Sequence, residues 1–130
     1  MKKKVLVIED NDQNLYLVTF ILEKNGYQVH SARDGREGVE LAAAVKPDLI
    51  LLDIQLPGMD GYAVAGKLRG NPDLAKVPII AVTSYAMAGD REKALAAGCT
   101  GYMEKPINPG TFLRQVESHL GGDNVENPGR

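Results

Sequence analysis

The sequence predicts an α/β fold, a doubly wound five-stranded parallel sheet built from five strand–helix repeats, (βα)5. Three observations predict it. Short runs of continuous apolar residues recur along the chain, at Val5-Leu6-Val7-Ile8, Leu49-Ile50-Leu51-Leu52 and Ile79-Ile80-Ala81-Val82. Unbroken hydrophobicity of this kind is what a strand covered on both faces requires. Segments with helical periodicity separate the runs, and the connections are short, which favours parallel strands with helices on both faces of the sheet.

The elements follow in order. After the first strand, Leu15, Val18 and Leu22 form an i, i+3, i+7 stripe, with Asn11 or Asp12 as cap and Gly26 as stop. Gln28-Val29-His30-Ser31 is a weaker second strand. Asp34 and Glu37 stand at capping-box spacing ahead of Val39, Leu41 and Ala42 in the second helix. The third strand is Leu49–Leu52, and the third helix runs from about Gly61 to Arg69, with Asp60 as its cap and Asn71-Pro72 beyond its end. Gly58 and Gly61 suit a tight turn before it. The fourth strand leads to a helix between about Met87 and Ala97. Gly101-Tyr102-Met103 is the fifth strand. Asn108 caps the last helix, Pro109 takes its first position, Phe112, Val116 and Leu120 form its stripe, and Gly121-Gly122 ends it.

Composition removes several classes of function. The 130 residues suit one domain with its own core. Hydrophobic residues at 44% and charged residues at 25% are globular values, which sets disorder aside. One cysteine, Cys99, excludes a disulfide framework and a thiolate zinc cluster, and suits a reducing compartment. The net charge of −2 argues against a dedicated nucleic-acid binder. The apolar run after Lys2-Lys3-Lys4 stops at Glu9, too soon for a signal peptide, and no stretch approaches a membrane span. A cytoplasmic protein without membrane insertion is expected. The polar, aperiodic residues 121–130 are expected to be a disordered tail or truncated linker after a domain over residues 1–120.

Chemistry collects at the strand ends. Ligands of open α/β sheets bind beyond the carboxyl ends of the strands, at the topological switch point. Here those ends carry Glu9-Asp10, Asp53, Thr83-Ser84 and Glu104-Lys105-Pro106. If the strand order is 2-1-3-4-5, the first and third strands are neighbours about 4.8 Å apart, and Glu9, Asp10 and Asp53 converge. Three close carboxylates repel unless a cation intervenes. Oxygen donors without imidazole or thiolate favour Mg²⁺, Mn²⁺ or Ca²⁺ over zinc, and a small wet site that also takes a phosphate oxygen favours Mg²⁺. A metal, an ammonium from Lys105 and a hydroxyl from Thr83 around one carboxylate describe a site where that carboxylate accepts a phosphoryl group.

Four segments, V-L-V-I-E-D-N, D-L-I-L-L-D-I-Q-L-P-G-M-D-G, I-I-A-V-T-S and Y-M-E-K-P, resemble the receiver domains of bacterial response regulators, in the family's order and nearly to Leu120. The E-D-N-x-x-N start and the T-S-Y-A-M segment are most similar to DivK-type single-domain receivers and to hybrid-kinase receivers. The resemblance implies a flavodoxin-like fold with strand order 2-1-3-4-5. It implies that Asp53 is the phosphoacceptor and that Asp10, Glu9, Asp53 and the backbone carbonyl of Gln55 hold Mg²⁺, with Mn²⁺ as an alternative. It makes Thr83 the switch hydroxyl, Lys105 the phosphate-pairing lysine, Lys105-Pro106 a cis peptide and Tyr102 the switch aromatic. Glu9 stands where many members carry a second aspartate. The implied partners are a sensor histidine kinase or histidine phosphotransfer domain, which donates the phosphoryl group, and a downstream protein target. The chain would then be a phosphorelay signalling protein and not an enzyme on an outside substrate, catalysing only its own phosphorylation and dephosphorylation. Its output surface would be the face made by the fourth helix, fifth strand and fifth helix.

Each residue taken alone has a simpler reading. Acidic residues after strands are commonly turn or cap residues, and Asp12 and Asp34 are read only as caps. Thr83-Ser84 could cap the fourth helix, and Tyr102 could be a strand aromatic. Cys99, His30 and His119 are read as structural, Cys99 as a small buried hydrophobe. Gln55 and Tyr85 lie two residues beyond Asp53 and Thr83, where the family lines the path of hydrolytic water; Tyr85 either shields that path or packs on the surface. Two rival functions fit less well. An aspartyl-phosphate phosphatase commonly has an acid two residues beyond its nucleophile, where Gln55 stands. A flavin-binding domain needs a phosphate loop, and Glu9-Asp10-Asn11-Asp12 would repel a phosphate.

Overall fold

The computed structural model describes residues 2–56, 58–84 and 88–120. The elements run β1 (Lys4–Ile8), α1 (Asp12–Lys24), β2 (Gln28–Ala32), α2 (Gly35–Val45), β3 (Leu49–Asp53), α3 (Gly61–Arg69), β4 (Ile79–Thr83), α4 (Asp90–Ala96), β5 (Gly101–Glu104) and α5 (Pro109–His119), with a 3-10 turn at Pro72–Leu74. The sheet is parallel with order β2-β1-β3-β4-β5. The carboxyl ends of β1 and β3 are therefore adjacent, and Asp53 pairs with Val82 near the end of β4.

Burial follows from this order. Every residue of β3 and β4 is buried, whereas the edge strands β2 and β5 mix buried and exposed positions. The pleat sends alternate side chains to opposite faces. Leu6, Ile8, Ile50, Leu52, Ile79 and Ala81 meet α2, α3 and α4 through Ala42, Val64, Leu68 and Ala94. Val5, Val7, Leu49, Leu51, Ile80 and Val82 meet α1 and α5 through Val18, Leu22, Phe112 and Val116. The continuous apolar runs are thus strands with a core on each side.

Most helix boundaries fall where the sequence places them. Asn11, Asp34, Asp60 and Asn108 each accept a backbone N–H as caps of α1, α2, α3 and α5. Asn11, and not Asp12, caps α1, because its side chain reaches the Asn14 N–H at 2.9 Å. Gly26 follows the end of α1 with φ of 91°. The fourth helix is shorter than expected. It begins at Asp90, after Gly89 at φ 88° with no side-chain cap. Gly89 thus lies before the helix and not within it, and Thr83-Ser84 does not cap it. The Ala-rich periodicity that predicts Met87–Ala97 carries no start signal, which is why it places the boundary too early. Gly121-Gly122, the tail at 121–130 and Tyr85 lie outside the described residues.

Two glycines bring elements close above the sheet. A Cβ on Gly38 would lie 2.5 Å from Ile8 Cδ1, and one on Gly61 would lie 2.5 Å from the Cα of Ile54. The second contact is with backbone, so α3 can begin directly against the segment leaving β3 only with glycine at its first position.

Candidate phosphoacceptor and metal site

Each site residue is delivered by a strand end. Glu9 leaves β1 with its backbone N–H donating to Ala32 O at 2.9 Å, and its Oε2 accepts the Asn11 N–H at 3.1 Å. Asp53 ends β3, and its Oδ1 accepts the Gln55 N–H at 2.8 Å. Lys105 follows β5, where its N–H donates to Thr83 O at 2.8 Å, and the Lys105-Pro106 peptide is cis. One carboxylate oxygen each from Glu9, Asp10 and Asp53 lies within 4.8 Å of the others. The ammonium of Lys105 stands over them, 3.1 Å from Glu9 Oε1 and 3.1 Å from Asp53 Oδ2. The group opens into a polar cleft of about 600 Å³ lined by Asp10, Asn14, Gln55 and Ser84 among others.

The charges are largely withdrawn from water. Glu9 and Asp53 are buried, at 5% and 3% exposure. Burial, and next the Asp53 carboxylate beside it, push the Glu9 carboxyl up to about 7, against the opposing Asn11 N–H and Lys105. Burial disfavours the Lys105 charge, but Asp53 and Glu9 outweigh it and hold the ammonium above its usual value. Such a cluster stores repulsion that a bound cation relieves. The donors are all carboxylate oxygens, with no imidazole or thiolate among them, so the residues fit a hard divalent cation.

The structure thus brings together Glu9, Asp10, Asp53 and Lys105, as the sequence predicts. Thr83 is at the end of β4, 2% exposed, with its hydroxyl accepting from the Gln55 side-chain amide. The Tyr102 hydroxyl is already buried, with no hydrogen-bond partner among the described residues. His30 and His119 lie on β2 and at the end of α5, away from the cluster. Cys99 is buried, and burial raises its thiol to about 11, so it is inert as its simpler reading requires.

Three side-chain arrangements are not legible in the sequence: the reach of Arg33, the bridge made by the Gln55 side chain, and the pairing of Tyr16 with Phe20. Arg33 reaches from the loop after β2 to Asp12 Oδ1 at 2.5 Å and to the backbone carbonyl of Asp10 at 3.0 Å, tying down the loop that carries Asp10. Asp12 is therefore an ion-pair partner and not a cap. The Gln55 side chain bridges to Thr83 and Ser84. On α1, Tyr16 and Phe20 stack with ring centroids 6.4 Å apart, exposed at 73% and 52%. Only the i, i+4 spacing of Tyr16, Phe20 and Lys24 off the buried stripe hints at this strip.

A parallel five-stranded sheet of order 2-1-3-4-5 thus gathers three carboxylates and a lysine at its switch point, which places the chain among the doubly wound α/β domains with an acidic, cation-ready site. Residues 5–117 match the response regulator receiver domain family. The chain is 41% identical to the polar-differentiation response regulator DivK of Brucella anthropi over 93% of its own length and 98% of that protein's. It is similar in structure to chemotaxis protein CheY4 of Vibrio cholerae, with a TM-score of 0.88 at 29% identity, covering 92% of this chain and 99% of that one. It also resembles the receiver domain of sensor histidine kinase PA1611 from Pseudomonas aeruginosa, which has a magnesium ion coordinated in the active-site cleft. There the TM-score is 0.86 at 35% identity, covering 93% of this chain and 99% of that one. The chain belongs to the response regulator receiver family and is a phosphorylatable receiver of two-component systems. Among the described residues no helix is long and apolar enough to cross a membrane.

Proposed function

We propose that this chain, over residues 1–120, is a cytoplasmic phosphorelay receiver that takes a phosphoryl group from a partner phosphohistidine onto Asp53. The observation that carries the reading is the convergence of Glu9, Asp10 and Asp53 within 4.8 Å beneath the Lys105 ammonium. Asp53 attacks phosphorus as its new oxygen–phosphorus bond forms, and the electron pair of the breaking bond returns to the imidazole nitrogen of the partner. Lys105 neutralises charge on the transferring oxygens. Glu9, Asp10, Asp53 and the backbone carbonyl of Gln55 hold Mg²⁺, or Mn²⁺ in its place. The ion supplies charge neutralisation and orientation of the phosphoryl oxygens. The magnesium-bound relative and the oxygen-only donor set support this assignment.

The partner, a histidine kinase or histidine phosphotransfer domain, must bring its histidine to the cleft. The nearest rigid element is α1, whose Asn14 lines the cleft and whose Tyr16 and Phe20 stack as an exposed aromatic pair elsewhere on the helix surface. Phosphorylation draws Thr83 toward the new oxygens and repositions Tyr102, and the α4–β5–α5 face then changes for a downstream protein target. α4, with seven residues and no side-chain cap, is suited to respond. The test is reaction with phosphoramidate followed by intact mass. One phosphoryl adduct that requires Mg²⁺ and is lost in Asp53→Asn is expected. An adduct that survives Asp53→Asn would place the acceptor elsewhere.

A further inference from the structure

A phosphoryl group on Asp53 needs hydrogen-bond donors, and this inference rests on that phosphoacceptor reading. The end of β4 offers two, the Thr83 hydroxyl and the Ser84 backbone N–H. Both are held by one side chain. Gln55 Nε2 donates to Thr83 Oγ1, and Gln55 Oε1 accepts the Ser84 N–H at 3.0 Å. The backbone of Gln55 is itself tied to Asp53 Oδ1 at 2.8 Å, so its side chain starts from a fixed point beside the phosphoacceptor. Gln55 and Ser84 line the cleft, whereas Thr83 does not and is 2% exposed. The Gln55 amide therefore stands on the cleft wall where the switch hydroxyl would have to appear.

The chemistry of the side chain matches this place. A glutamine carries a donor and an acceptor on one rigid amide, and both are used here on adjacent residues of β4 and its exit. An asparagine is one methylene shorter, and a carboxylate has nothing to donate to Thr83. A phosphoryl oxygen competes for the same Ser84 N–H, and it needs the Thr83 hydroxyl turned toward it as a donor. The two arrangements are mutually exclusive at Ser84.

We propose that the Gln55 side chain is a latch on the end of β4, holding Thr83 and Ser84 in the unphosphorylated arrangement until a phosphoryl group displaces it. Gln55 is then a positioning residue that sets the threshold of the switch. Only molecules with the latch open are competent to hold the phosphoryl oxygens fully, and apparent affinity is lowered by that fraction.

The test uses beryllofluoride as the phosphoryl mimic, titrated at saturating Mg²⁺ into the full chain and into Gln55→Met and Gln55→Ala. Methionine keeps the length of the side chain and removes both hydrogen bonds. Each hydrogen bond shifts such an equilibrium roughly threefold to tenfold, so both variants should bind beryllofluoride at least about threefold tighter than the unaltered chain. A residue that merely supports the fold would not raise affinity when removed. In the unaltered chain the Gln55 side-chain amide resonances and the Ser84 amide should move together on binding. The gain from Gln55→Met should shrink in a Thr83→Ala background, where half of the latch is already gone. Unchanged or weaker beryllofluoride binding in Gln55→Met overturns the latch, and Gln55→Ala carries the same comparison if that variant does not fold. An unaltered chain that fails to bind beryllofluoride removes the phosphoacceptor reading itself, an outcome separate from any effect of the variants.

Discussion

Replacing Asp53 by asparagine should favour the metal-free protein increasingly as pH rises, and the structure sets the size and the pH dependence of the effect. The asparagine side chain would keep the shape and still accept the Gln55 N–H, so the 2.8 Å bond survives. What goes is a negative charge beside Glu9, whose carboxyl is pushed up to about 7 by burial first and Asp53 next. Lys105 loses its contact to Asp53 Oδ2 but keeps Glu9 at 3.1 Å. A carboxyl raised from 4.5 to about 7 contributes stability that is complete below pH 4.5 and lost as pH rises through 7. The whole loss is about 3 kcal/mol, and the part owed to Asp53, second to burial, is on the order of 1 kcal/mol. With chelator present, the stability of Asp53→Asn relative to the unaltered chain should therefore rise by about 1 kcal/mol between pH 4.5, where Glu9 is protonated and the variant loses only the Lys105 contact, and pH 8. Mg²⁺ should favour the unaltered chain instead, because binding to the native state alone adds about 2.7 kcal/mol at one hundred times the dissociation constant. Urea denaturation at the two pH values, with chelator and with Mg²⁺, reads all four numbers. A loss above about 2 kcal/mol in chelator at pH 8 would show that Asp53 is a structural hydrogen-bonding residue and refute the repulsion argument.

Three further predictions use other parts of the molecule. Apparent Mg²⁺ affinity, followed by calorimetric titration, should be level above about pH 8 and weaken by up to about tenfold per unit below 7, because Glu9 must lose its proton to act as a ligand; a flat profile from pH 5 to 8 would remove Glu9 from the metal site. Gly61→Ala should cost about 1–3 kcal/mol or more, since its Cβ meets the Ile54 backbone, whereas Gly66→Ala, with nothing within 4 Å, should gain up to about 1 kcal/mol in urea denaturation. The double variant Tyr16→Ala, Phe20→Ala should slow phosphotransfer from a phosphohistidine protein while sparing reaction with phosphoramidate; equal loss with both donors would locate the defect in the site.

The strands and four of the five helices are legible in the sequence because their signals are local. Continuous Val, Ile and Leu runs mark the buried strands, and Asn11, Asp34, Asp60 and Asn108 mark helix starts by their own hydrogen bonds. The α4 boundary is not legible, because alanine periodicity carries no start signal and Gly89 punctuates the chain only through its backbone angle. The acids and Lys105 are legible because each follows a strand, and the strand order does the rest. Arg33, the Gln55 side chain and the Tyr16–Phe20 strip are not. Their partners lie 21 to 29 residues away for Arg33 and Gln55, and nothing in local spacing reports a side chain crossing between loops.

Everything proposed for the site depends on Asp53 as the group that receives phosphorus. Borohydride reduction of an aspartyl phosphate converts that aspartate into homoserine, which peptide mass then locates. The chain treated with phosphoramidate and Mg²⁺ should yield homoserine at residue 53 alone, and none when Mg²⁺ is chelated. Homoserine at Asp10, or none at any position while a phosphoryl adduct is present by intact mass, would contradict the assignment of Asp53.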